Sequence, residues 1–241
     1  MVTSLESSGS NRVLHLFGRD SSSELLRSLA SVQGDTGQTT LETFPRTPLQ
    51  LHSEGARKDL VTSLLSGDHI AVVATPPLSS FSRLRCKGAG APQLRSAEWP
   101  LGHDVGDSHL TELVDGNVSL EFTAEVFAAA LKIGIPVLLL APEFLGSVGE
   151  VTPCNPWEFI ELKSLLSEDG VFTGAFYGCE LAGTSTKRPL RVLTSFTSLR
   201  KLLHLGPPVL QQVEGRQVYR GPLPIDCACG KHVRGMPPQL L

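Results

Sequence analysis

The chain has 241 residues, 41% hydrophobic and 19% charged, with a mean hydropathy of +0.05. A chain of this kind can bury one sizeable core, which excludes a disordered polymer and a fibrous repeat. A formal net charge of -3 and a pI near 6.2 exclude a strong attraction of the whole surface to nucleic-acid phosphates, although a local basic patch escapes that average.

The five cysteines, Cys86, Cys154, Cys179, Cys227 and Cys229, are odd in number and scattered. The amino-terminal stretch Met1-Val2-Thr3-Ser4-Leu5-Glu6-Ser7-Ser8 lacks the basic and apolar regions of a signal peptide. Both features set the expectation of a reducing, intracellular setting, nuclear or cytoplasmic. The longest apolar run, Ile135 to Ala141, is far too short for a membrane span.

Arg12 to Phe17 alternates as a strand does, and Ser21 to Val32 places Leu25, Leu26, Leu29 and Val32 at helical spacing. An extended segment over Gln38 to Phe44, a helix over Ala56 to Leu65 and a strand over His69 to Ala74 follow. Strand then helix, repeated, predicts an α/β domain with a parallel sheet. The third strand breaks at Pro76-Pro77, two residues that cannot donate to a ladder, so it delivers a rigid loop to the carboxyl edge, where open α/β sheets bind ligands.

Residues 75–117 are rich in Gly, Pro, Ser and Arg without sustained periodicity, which predicts a long functional loop. A helix over Ser119 to Ile133 is expected, stopped by Gly134, then a buried strand over Pro136 to Leu140 that breaks at Ala141-Pro142-Glu143. Pro156-Trp157 opens a helix to Ser167, Val171 to Tyr177 and Leu190 to Thr194 read as strands, and Ser195 to Leu203 as a short helix. These elements make residues 1–204 one domain. Pro, Gly and Cys dominate 205–241, which predicts an irregular tail packed on it.

The turn Leu16-Phe17-Gly18 between the first strand and the first expected helix lies where a Rossmann-like domain binds a nucleotide-containing cofactor, because glycine admits close approach and the helix amino end faces the ligand. A single glycine is a weak form of that signal, and an ordinary turn capped by Asp20 or Ser21 satisfies the spacing equally. Glu42, near the end of the second strand, stands where an acidic residue would hold a ribose, or is a solvated strand-end carboxylate. On the long loop, Arg83, Arg85, Lys87 and Arg95, with Phe81, could track a phosphate backbone beside the pocket or simply carry solvated charge. In the tail, Cys227, Cys229 and His232, with Cys179 or His204, offer thiolate and imidazole to zinc. The Cys-x-Cys-x-x-His spacing is not a standard metal knuckle, so buried small cysteines are the preferred reading.

Three segments in one order, Leu14-His15-Leu16-Phe17-Gly18, Val72-Val73-Ala74-Thr75-Pro76-Pro77-Leu78-Ser79-Ser80-Phe81-Ser82-Arg83 and Leu140-Ala141-Pro142-Glu143-Phe144-Leu145-Gly146, resemble S-adenosylmethionine-dependent DNA methyltransferase domains of the cytosine-C5 type. The likeness is greater to divergent methylase-like proteins of protists and their mobile elements. It continues through Asn155-Pro156-Trp157, Phe176-Tyr177-Gly178-Cys179, Lys187-Arg188-Pro189 and Tyr219 to Pro224. It implies a Rossmann-like class I methyltransferase fold, with a mostly parallel sheet and helices on both faces. S-adenosylmethionine would be held by Leu16, Phe17, Gly18, Glu42, Thr75 and Pro76, with DNA as partner.

The departures concern the chemistry. In C5 transfer a thiolate adds to C6 of the ring while a carboxylate handles the ring-nitrogen proton. Leu78 stands at the position of that cysteine and Leu140 at that of the carboxylate, with Glu143 the nearest acid. The catalytic loop Thr75-Pro76-Pro77-Leu78-Ser79 is therefore expected to belong to a pseudoenzyme, impaired in C5 chemistry. Cys86, off the rigid Pro-Pro step, would be a poorly preorganised substitute. One alternative is an amino-group (N6 or N4) nucleic-acid methyltransferase using Thr75-Pro76-Pro77-Leu78, with Phe81 as the stacking aromatic. Another is a non-catalytic nucleic-acid or protein binding module on the same fold.

Overall fold

The computed structural model describes residues 11–18, 39–45, 48–87, 92–179 and 188–224. Strands β1 (Asn11–Leu16), β2 (Thr39–Phe44), β3 (His69–Ala74), β4 (Val137–Pro142), β5 (Phe172–Tyr177), β6 (Pro189–Thr194) and the two-residue β7 (His204–Leu205) form one sheet in the order β2-β1-β3-β4-β6-β5-β7. The first four in that order run parallel. Strand β6 runs against both β4 and β5, and β7 runs against β5. The architecture is therefore α/β with a mixed, mostly parallel sheet.

Strand β3 is apolar over almost its whole length because both of its faces are covered. Val72 and Ala74 enter one cluster with Leu14, Leu16, Val137 and Leu139, while Val73 enters a second with Leu138, Phe176 and Val192. The first face carries all four described α-helices: α1 (Pro48–His52), α2 (Glu54–Leu65), α3 (Asp107–Lys132) and α4 (Ile160–Leu165). Helix α2 starts where Ser53 accepts a hydrogen bond from the Ala56 amide and Glu54 sits in the positive first turn. Over the second face, Phe196, Leu199 and Leu203 pack from a 3-10 turn at Thr197–Leu202. The helix expected over Ser21 to Val32 lies outside the described residues.

Two expectations fail. Helix α3 begins at Asp107, not Ser119, so the loop after β3 ends at Gly106 and itself contains 3-10 turns at Ser79–Phe81 and Arg83–Lys87. Gly116 reads as a helix breaker, yet it lies inside α3 because the helix passes close to the loop there: an added Cβ would meet Ser80 Oγ at 2.8 Å and Arg95 Nη2 at 3.1 Å. The described part of the tail, 205–224, is also not irregular. Strands β8 (Val209–Val213) and β9 (Arg216–Gly221) form a hairpin whose Glu214-Gly215 turn has positive φ at both residues, 50° and 76°. A bridge from Val218 to Gly146 attaches it to the loop after β4.

Candidate functional site

At the carboxyl edge, the β1 and β3 ends are joined by their own hydrogen bonds. The Thr75 amide donates to Leu16 O (3.0 Å), the Thr75 hydroxyl donates to Phe17 O (3.2 Å), and His15 Nε2 lies 3.1 Å from that hydroxyl. Phe17 turns the chain at φ 61°, in the left-handed region, and its amide donates to Phe44 O at the end of β2. Leu16, Phe17, Gly18, Thr75 and Pro76 are thus brought to one edge. His15 is fully enclosed, and burial pushes its imidazole down to about 4.

Glu42 is not brought there. Its carboxylate reaches back to His69 Nε2, 3.2 Å away at the amino-terminal start of β3. Gly18 leaves space for the chain's own imidazole, since an added Cβ would lie 2.2 Å from His15 Nδ1. Among the described residues, then, the acid and the glycine that the resemblance assigns to S-adenosylmethionine are engaged with this chain's own side chains. They do not fit that cofactor.

The reactive positions are equally occupied. Leu78 is 8% exposed and belongs to the main apolar cluster, as does Phe81. Leu140 lies within β4 opposite Val192 and packs on the second cluster. Glu143 is enclosed and held by Arg191, whose Nε and Nη2 donate to its two carboxylate oxygens at 2.5 and 2.9 Å. Arg191 Nη1 donates further to Thr173 Oγ1 and Gly206 O. Burial raises the Glu143 carboxyl above the usual range, and the Arg191 guanidinium and the Tyr219 hydroxyl pull it back only in part. Tyr219 itself is pushed up by burial, and its hydroxyl accepts from the Leu223 amide. This cluster fastens the hairpin to the β4 and β6 ends, which is a structural use of an acid.

Three of the four basic loop residues are also engaged by the chain itself. Arg95 is 2% exposed, yet its guanidinium donates to Ser80 Oγ, Pro100 O, Asn117 Oδ1 and Leu113 O and stacks 4.1 Å from the Phe81 ring centroid. Desolvation lowers this cation to about 10. Arg85 Nη2 contacts both Glu112 oxygens at 2.7 Å, and Arg83 donates to Ser147 O. Lys87 alone of the five expected contact residues is exposed. Phe81 meets Phe159 edge-on at 5.5 Å. Arg85 and Arg95 of the expected DNA-tracking patch instead brace the loop against α3, because a buried cation needs several donors satisfied at once and Ser80, Pro100, Glu112, Leu113 and Asn117 accept from them. Phe81 is likewise unavailable for stacking on a base.

Cys227, Cys229 and His232 lie outside the described residues. Cys179 is buried and His204 exposed, and no group of three His, Cys, Asp or Glu with metal-holding geometry occurs among the described residues. No described helix is long and apolar enough to cross a membrane.

A cleft of about 640 Å³ lies elsewhere, between α3, the 97–101 segment, the loop after β4, the start of α4 and the hairpin. Phe144 and Cys154 are buried in its wall, and burial pushes the Cys154 thiol up to about 11. Glu121, Glu158 and Glu161 line it, with no Lys or Arg among the lining residues. None of Thr75 to Ser79 reaches it. Sequence reading missed this site because its signal, the row Leu110, Val114, Asn117 and Glu121 at helical spacing, needs α3 to start at Asp107.

Compared with protein-family models, with curated proteins and with solved structures, the chain matches none of them.

Proposed function

We propose that the chain is a methyltransferase-type α/β domain that does not perform C5 methyl transfer and works as a binding module. The observation that carries this reading is Leu78: at the position where the resemblance places the nucleophile stands an apolar side chain buried in the core. Support comes also from Glu143, the nearest acid, whose two oxygens are taken by Arg191. A nucleophile and its proton-handling partner act as a unit, and neither position here presents a reactive group to a base. The Thr75 hydroxyl, which an amino-group methyltransferase would turn to its target amine, donates to Phe17 O instead. Fold alone does not imply the reaction.

The test is methyl transfer from tritiated S-adenosylmethionine to mixed-sequence duplex DNA by the purified full chain. The expected result is no label in DNA above the protein-free control. Label at cytosine C5 overturns the reading, and label on an adenine or cytosine amino group restores the amino-group alternative.

A further inference from the structure

The cleft beside α3 is lined by apolar side chains and carboxylates, and its margin is unusually apolar. Leu101 is 66% exposed and Ile160 73%, both lining residues. Outside the cavity the apolar character continues along α3. Leu110 and Val114 are exposed, and they share one helical row with Asn117 and Glu121, which line the cleft. From Leu110 to Glu121 that row rises ~16 Å at 1.5 Å per residue. Trp99, also exposed, lies in the segment beside it. Exposed large apolar residues gathered along one groove mark an interaction surface more often than scattered ones do.

The charge on the groove is of one sign. Glu121 and Glu161 carry no ion pair among the described residues, whereas Glu158 is paired with Lys163. Gln217, on the hairpin wall, has a buried side-chain oxygen without a hydrogen-bond partner. A carboxylate-lined groove repels phosphates and attracts cations. The exposed apolar row of α3 continues the surface beyond the cavity itself, which suits an extended chain better than a compact ligand.

We propose that this groove docks a segment of another protein that carries large apolar side chains at one end and Lys or Arg at the other. The apolar end lies along Leu110 and Val114, and the cationic end meets Glu121 and Glu161 while its aliphatic stem covers Phe144 and Ile160. The proposal rests on the binding-module reading and names its partner.

The test is fluorescence anisotropy with a labelled peptide bearing Leu-Ser-Leu and Lys-Ser-Lys separated by about five residues, an extended span of ~16 Å. Saturable binding is expected, weakened roughly tenfold or more by the double substitution Glu121→Lys with Glu161→Lys. Glu54→Lys, on the exposed face of α2, is expected to leave it unchanged. Equal binding by the double variant, or by a peptide with glutamates in place of its lysines, overturns the proposal. So does a dimer in light scattering that Ile160→Arg dissolves, because the occupant is then a second copy. Absence of peptide binding with no methyl transfer removes only this partner. Methyl transfer removes the reading beneath it.

Discussion

The carboxyl edge of the sheet and the cleft beside α3 both carry polar side chains, but they differ in what those groups are doing. At the edge, Thr75 serves Phe17 and Glu143 serves Arg191, while Glu42 is drawn away from it to His69. In the cleft, Glu121 and Glu161 have no ion partner among the described residues, and Leu101 and Ile160 stand out from the surface. A polar position is only a scaffold once its chemistry is tied up inside the chain. Unengaged chemistry marks the place where a partner can still be recognised.

The largest effect that separates the two regions is expected at Arg191. Replacing it with Met leaves Glu143 enclosed without its cation, which costs about 3–5 kcal/mol. The measurement is the urea midpoint of the variant, and the double variant with Glu143→Leu should recover most of the loss. A cost under about 1 kcal/mol for Arg191→Met would mean that Glu143 is not locked and could act as an acid.

A somewhat smaller effect is expected from His15. Its imidazole is held near 4 in the folded chain and returns to 6.5 on unfolding. Between those values the unfolded state binds the extra proton, so stability falls as pH drops from 6.5 toward about 4 and the loss from this group stops there. The whole effect is about 3 kcal/mol. Chemical denaturation across that window should show it in the native chain and not in His15→Gln. Equal pH slopes in both would break the account of an edge sealed around a neutral imidazole.

Much of the sheet was legible because its strands are short apolar runs between strong punctuators. His69 to Ala74 lies between Asp68 and the Pro-Pro step, and both of its ends coincide with β3. Gly134, with φ 78°, closes the end of α3 as expected. The start of α3 was not legible, because Gly116 serves a close approach to Ser80 and Arg95 that only the folded chain reveals. The hairpin did carry a readable signal: Gln211-Gln212-Val213 and Arg216-Gln217-Val218 flank the turn dipeptide Glu214-Gly215. The surrounding prolines and glycines obscured it.

The site was harder to read than the fold. The ends of β1 and β3 bring Leu16 to Gly18 beside Thr75 and Pro76, yet a sequence does not state whether a polar group faces a ligand or its own chain. Arg95 illustrates this. In a loop with Arg83, Arg85 and Lys87 it reads as phosphate-binding, whereas four acceptors and an aromatic face enclose it. Its neighbour in space, Asn117, is 22 positions away in the chain.

Calorimetric titration of the full chain with S-adenosylmethionine, read together with hydrogen exchange at the Leu16, Phe17, Gly18, Thr75 and Leu78 amides, tests most directly whether the edge is engaged by the chain itself. The account predicts no saturable heat and unchanged exchange at those amides. Saturable binding that protects them would contradict it.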